Sequence, residues 1–216
     1  MIQLIDDRKI SHEVASKLLS IGAIKLSPDK PFIWSSGWHS PIYCDNRLSL
    51  SYPEIRSFIK DKLAEAIKAN FAGVEAIAGV ATAGIPQGAL VAEALGLPFL
   101  YVRAKPKGHG MENMIEGLVT PGQKVVLIED LVSTGGSSLK AAEALDIAGF
   151  EVMGMVAIFT YGFDIAQENF ENKRIPLVCL SDYQTLIEEG MLTGKVTKDQ
   201  VSALKQWRDH PQTWGK

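Results

Sequence analysis

Four apolar residues, Val125 to Ile128, run straight into two adjacent acids, Glu129 and Asp130, and then into the turn Leu131-Val132-Ser133-Thr134-Gly135-Gly136-Ser137. A short apolar run of this kind fits a strand covered on both faces, as in a parallel sheet. Glycines let the backbone adopt positive φ and come close to a ligand. The helix expected from about Ser137 to Ala148 presents unpaired amides at its start, and these attract anions. Ser133, Thr134 and Ser137 add hydroxyl donors, so the turn suits a phosphate monoester. The acids cannot bind that phosphate directly. They suit sugar hydroxyls, or Mg²⁺ reached through water. Phosphate at the turn and ribose beside the acids describe a ribose 5-phosphate pocket. The plainer reading is a strand-turn-helix corner with Thr134 or Ser137 as helix cap. Neither G-x-x-x-x-G-K-[ST] nor G-x-G-x-x-G occurs, so this is neither a P-loop nor a dinucleotide fingerprint.

The rest of the chain alternates strand-like and helix-period segments. That pattern predicts an α/β fold whose mainly parallel sheet binds ligands at the carboxyl ends of its strands. Residues 7–20 place Ile10, Val14, Leu18 and Leu19 on one helical face. Residues 22–50 read as irregular. Ser51-Tyr52-Pro53-Glu54 has the form of a capping box, opening a helix striped by Ile55, Phe58, Ile59, Leu63 and Ile67. Strands are expected at 74–80, 99–102, 125–128, 152–159 and 177–180, with a helix reaching about Leu95. The last 35 residues read as helical, ending in Val201, Leu204 and Trp207. Three loops leave strand ends: 81–85, 103–119 and 131–137.

At 216 residues, 46% of them hydrophobic and 22% charged, the chain can bury the core of one domain, or of one domain with a small lobe. A net charge of -3 gives no general pull toward nucleic acid or acidic membranes, so any anion site must be local. No apolar run approaches the roughly 20 residues that span a bilayer, and the N-terminus lacks the pattern of a signal peptide. Cys44 and Cys179 lack metal-site spacing and read as free thiols in a reducing cytoplasm.

The loop Arg103-Ala104-Lys105-Pro106-Lys107-Gly108-His109-Gly110 gathers four potentially cationic side chains. It reads as a solvated surface loop or as a lid. A lid would carry positive charge to a leaving pyrophosphate and stabilise the charge that develops on it. Gly108, Gly110 and Gly117 would let it move. Upstream, residues 31–47 place Trp34, Ser36, Gly37, Trp38, Tyr43 and Arg47 close together in sequence. Amides near Ser36 and Gly37 could bond a flat polar ring. Tyr43 could stack on it. Core or dimer packing accounts equally for the aromatics.

With these residues in view, the strand-acid-turn string resembles the binding motif for 5-phosphoribosyl-1-pyrophosphate (PRPP) of type I phosphoribosyltransferases. The cationic loop resembles the catalytic loop of orotate phosphoribosyltransferases, and residues 31–47 resemble that family's N-terminal region, closest to its Gram-positive-type branch. The resemblance implies a single domain. A hood from about 1–50 and part of the C-terminus would cover a PRPP-binding core of about 51–180, with a mobile loop at about 103–119. It implies a homodimer that shares this loop between active sites, Mg²⁺ bound mainly through PRPP, and transfer of phosphoribose from PRPP to orotate. Catalytic roles fall on Arg103, Lys107, His109 and Asp130. PRPP contacts fall on Arg103, Lys105, Lys107, His109, Glu129, Asp130 and residues 131–137 (Leu131, Val132, Ser133, Thr134, Gly135, Gly136, Ser137). Orotate contacts fall on Ser36, Gly37 and Ser133, with Arg47 a candidate for the orotate carboxylate. The family's turn at 81–85 faces pyrophosphate; here it also reads as a tight strand-to-helix turn. Ala104 stands where many relatives have lysine. Two other readings remain open: transfer to another nucleobase, and a non-catalytic PRPP-sensing regulator.

Overall fold

The computed structural model describes residues 2–34, 37–105 and 114–215. The strands are β1 (Ile2–Leu4), β2 (Ile24–Leu26), β3 (Phe32–Ile33), β4 (His39–Ser40), β5 (Ile42–Cys44), β6 (Ala76–Val80), β7 (Phe99–Val102), β8 (Ile115–Glu116), β9 (Lys124–Val132), β10 (Glu151–Thr160) and β11 (Leu177–Asp182). The helices are α1 (Arg8–Ser20), α2 (Pro53–Asn70), α3 (Gly84–Leu95), α4 (Gly136–Ile147), α5 (Asp164–Lys173), α6 (Tyr183–Leu192) and α7 (Lys198–Asp209).

Seven strands form one sheet in the order β1-β11-β10-β9-β6-β7-β8, parallel throughout except for β8. Its central strands alternate between two cores. Val126 and Ile128 of β9 pack with α1, α2 and α3, while Val125 and Leu127 pack with α4 and α5. Being covered on both faces is why these strands read as continuous apolar runs rather than alternating ones. Helix α3 lies close on β6 because Gly79 and Gly88 meet there. A Cβ on Gly88 would come within 3.2 Å of the Gly79 Cα.

Most expected elements are present, with instructive departures. The segment 22–50 is not irregular throughout: β2 pairs with β5 and β3 with β4, forming two short antiparallel ribbons above the sheet. Ser51 caps nothing in α2. It ends a 3-10 turn, Asn46–Ser51, which is capped by the Asp45 side chain, and Tyr52 precedes Pro53 with no side-chain cap bond. Proline at the first helical position lacks the N–H that a cap would have satisfied. Strand β9 extends through Glu129 and Asp130 to Val132, so the acids belong to the sheet rather than to the turn.

The expected loop 103–119 is partly strand. Its far limb returns as β8, antiparallel to β7 (Val102 opposite Ile115), and Arg103 N–H donates to the Met114 carbonyl at 2.8 Å. Gly117 is no simple hinge, since a Cβ there would lie 2.8 Å from the Leu100 Cβ. Strand β1 was too short to read from the sequence, yet it adds an edge to the sheet beside β11.

Helix α7 packs as a roof on Trp34 and Tyr161, two residues that line the cleft. Trp207 of α7 is fully buried and stands edge-on to Trp34 (5.7 Å between ring centres) and Tyr161 (5.6 Å). Its indole N–H donates to the His39 carbonyl at 3.0 Å, tying α7 to β4.

Candidate active site

Strands β6 and β9 end side by side, Gly79 opposite Ile128, and the turns that follow them face one another. Gly84 sits so tightly against β9 that a Cβ would meet the Ile128 carbonyl oxygen at 2.3 Å. Only glycine permits this approach, and it sets the 81–84 turn beside the acids. The peptide between Ala81 and Thr82 is cis.

Two adjoining spaces open above these strand ends, sharing Cys44 and Leu131 as a ridge. The acid lobe, about 300 Å³, is lined by Glu129, Asp130, Ala81–Ala83, Ser137, Asp45 and Arg47. The base lobe, about 660 Å³, is lined by Ile33, Trp34, Trp38, Tyr43, Tyr161, Ser133 and Thr134.

In the acid lobe the two adjacent carboxyls of β9 differ in setting. Glu129 is buried, accepting from the Ser138 hydroxyl at 2.9 Å and from the Asp130 N–H at 3.1 Å. Burial and the neighbouring Asp130 hold its carboxyl well above the usual range. Burial also raises Asp130, opposed by its hydrogen bonding with Glu129 and by the charge of Arg47. The Asp130 backbone is pinned by Asn46, whose amide donates to the Asp130 carbonyl at 2.7 Å and accepts from the Cys44 thiol at 3.2 Å.

Beyond the acids, Gly135 takes φ 82° and precedes α4; a Cβ there would strike the Phe170 ring at 2.6 Å. Asn169 donates to the Thr134 carbonyl at 2.9 Å, fixing the turn from α5. No side chain caps α4, so Thr134 and Ser137 do not act as its caps and the helix start stays available to an anion.

A model of the phosphoribosyl transferase domain matches residues 50–184. The chain is 59% identical over 202 residues to an orotate phosphoribosyltransferase of Porphyromonas gingivalis, covering 94% of this chain and 96% of that one. It is 54% identical over 207 residues to one of Listeria innocua, covering 96% and 99%. It belongs to the orotate phosphoribosyltransferase family. The solved orotate phosphoribosyltransferase of Aeropyrum pernix superposes with a TM-score of 0.74 at 32% identity, over 85% of this chain and 99% of that one. The family's fold, a mainly parallel sheet flanked by helices, is the one described above.

The structure brings together Glu129, Asp130, Leu131, Ser133, Thr134 and Ser137 around the two lobes. Val132 is different: its side chain is buried in the core, and its carbonyl accepts from Thr160 and Tyr161. Gly135 and Gly136 shape the turn through their backbone. Gly37 does not line the base lobe, and its N–H already donates to the Trp34 carbonyl at 2.8 Å. Arg47 lines the acid lobe, not the base lobe. Arg103 ends β7 and pairs with Glu116 at 3.2 Å, and Lys105 is exposed nearby. Ser36, Lys107, His109, Gly108 and Gly110 lie outside the described residues.

Four lining or supporting residues were not singled out as functional by the sequence: Tyr161, Cys44, Asn46 and Trp207. Tyr161 had a weak signal, an aromatic directly after a strand that ends at the cleft. Asn46 had none, because its partner Asp130 is distant in sequence.

Proposed function

We propose that the chain transfers the 5-phosphoribosyl group from PRPP to orotate, giving orotidine 5'-monophosphate and pyrophosphate, a reaction of pyrimidine biosynthesis. The observation that carries this reading is the junction of an acid lobe and an aromatic lobe at one strand-turn-helix, in a chain so similar to orotate phosphoribosyltransferases along nearly its whole length.

The 5-phosphate sits in the 133–137 turn, where hydroxyls and the α4 amides converge. Asp130 accepts from the ribose hydroxyls, and Glu129 supports that carboxylate from beneath. The flat base enters between Trp34, Trp38, Tyr43 and Tyr161, with Ser133 and Ser36 at its edge. The pyrophosphate meets the 82–84 amides, Arg103, Lys105, Lys107 and His109. The ring nitrogen of orotate forms its bond to the anomeric carbon as the bond to pyrophosphate breaks, through a cation-like ribosyl centre. The chain's part is positioning and stabilisation of the departing charge.

Among the described residues no trio of metal-ligating side chains gathers. The acid lobe offers three carboxyls, of which Glu129 is tied to Ser138 and Asp45 to Arg47; that leaves Asp130, which fits a Mg²⁺ ion held mostly by PRPP and reached through water. When bound, Mg²⁺ neutralises part of the pyrophosphate charge. We further propose a homodimer in which the 103–119 loop of each subunit serves the other's cleft. A cytoplasmic setting is supported by the free thiols of Cys44 and Cys179. No described helix is long and apolar enough to cross a membrane.

The test is the ultraviolet loss of orotate on adding PRPP and Mg²⁺, with uracil and hypoxanthine as controls. Loss with orotate alone is expected. Pyrophosphate release with another base would keep the PRPP pocket and overturn the base assignment. PRPP binding without reaction would point to a regulator.

A further inference from the structure

The acid lobe holds three carboxyls, Asp45, Glu129 and Asp130, and an uncharged turn at Ala81–Ala83, yet it must receive a polyanion. Among the described residues, one cation lines either lobe: Arg47, at the end of β5's connection into the 3-10 turn. Its side chain is 59% exposed, so it projects into the open mouth rather than into the core. It is nevertheless held in place. The guanidinium Nε donates to Asp45 Oδ1 at 2.6 Å and Nη2 donates to Oδ2 at 2.9 Å, a two-point pairing. Asp45 in turn caps the turn that carries Arg47, accepting from the Arg47 N–H at 3.3 Å.

A guanidinium has five N–H donors in a fixed plane. Asp45 occupies two of them, on the Nε side. Both Nη1 hydrogens and one hydrogen of Nη2 make no bond to another described residue, in a side chain that lines the lobe. This is the geometry suited to a phosphate: a planar fork already oriented by a carboxylate, with a free edge toward the ligand. The orotate carboxylate, by contrast, belongs with the base in the aromatic lobe, which Arg47 does not line.

We propose that Arg47 is a pyrophosphate-binding residue, held by Asp45 against the 81–83 turn, and that it does not serve the orotate carboxylate. This rests on the reading of the chain as an orotate phosphoribosyltransferase. In the reaction it meets the departing charge as a cation already fixed by Asp45.

The experiment compares wild type, Arg47→Ala and Arg47→Lys. The readouts are KM for PRPP and for orotate, the Kd of pyrophosphate with Mg²⁺ by calorimetry, and the thermal midpoint. Arg47→Ala should raise the PRPP KM and the pyrophosphate Kd about 10- to 100-fold, from the loss of charge-assisted hydrogen bonds. Its orotate KM should stay within about twofold, a shift small against one such bond. Arg47→Lys should recover only part of the affinity, because lysine lacks the planar fork. The thermal midpoint should move little, since the Arg47 side chain is exposed. A rise in orotate KM with PRPP unmoved would assign Arg47 to the carboxylate and overturn the proposal. Unchanged constants throughout would reduce Arg47 to a surface partner of Asp45. A wild type that consumes no orotate would sink the underlying reading instead, and the same run reports that.

Discussion

The acid lobe and the base lobe meet along Cys44 and Leu131, but they keep their shapes by different means. The acid lobe is made of strand ends and tight turns. Its geometry is held by backbone contacts: Asn46 on the Asp130 carbonyl, Gly84 against Ile128, and Glu129 bonded within its own strand-turn-helix. The base lobe is made of rings, and those rings are held by other rings. Trp34 leans on Tyr161 and Trp207, while Tyr161 lies against Phe159 and Phe163. Charge is concentrated in the first lobe and nearly absent from the second. A phosphoryl-bearing ligand needs fixed dipoles and cations, which backbone turns supply. A flat base needs a slot of the right width, which packed aromatics supply.

If the lobes are independent in this way, damage to one should spare the other. Trp207→Ala should have the largest effect, about 3–5 kcal/mol of stability, because it empties a fully buried site at the roof. The surviving folded protein should show a raised orotate KM with a PRPP KM much less altered. Equal loss on both substrates would break the comparison, showing that the roof also braces the acid lobe. Denaturant unfolding and two-substrate kinetics give both readings.

Asp130→Asn tests the other side. Removing the charge proposed to meet the ribose should lower kcat/KM for PRPP by about 10²-fold, with orotate affinity retained. Kinetics identical to wild type at every PRPP concentration would remove Asp130 from the ribose contact.

The smallest effect is one of stability against pH. Glu129 has a raised folded-state pKa. Such a group adds stability that is complete below its unfolded value and is lost as pH rises through the folded one. By neutral pH, well above the unfolded value, wild type has given up part of that contribution, whereas Glu129→Gln cannot ionise. The Ser138 hydroxyl can turn to bond the amide. The variant should melt about 2–4 °C higher near pH 7, with the gap closing toward pH 4. A gap that persists in acid would mean that packing, not ionisation, separates the two proteins.

The sequence read the acid lobe well because its chemistry is contiguous. Residues 125–137 carry strand, acids, turn and helix start in one run, and each piece follows from local rules of periodicity and glycine geometry. Even there, Val132 turned inward, because in a strand covered on both faces one side of every residue meets a core. The segment 31–47 was legible only as a collection of interesting residues. Its two ribbons are too short to show alternation, and Gly37 spends its amide inside its own hairpin.

What the chain's order of residues determined by itself was the class of fold, the glycine-rich turn, the acid pair and the helix stripes, since each depends on neighbours within a turn or a strand. Tertiary structure alone decided that Tyr161 and Trp207 would wall and roof a slot begun at Trp34, that Asn46 would hold Asp130, and that Arg47 would face the acids rather than the base. Those outcomes depend on which strand ends lie side by side, and that is set by burial of two cores across the whole sheet, a quantity no local window contains.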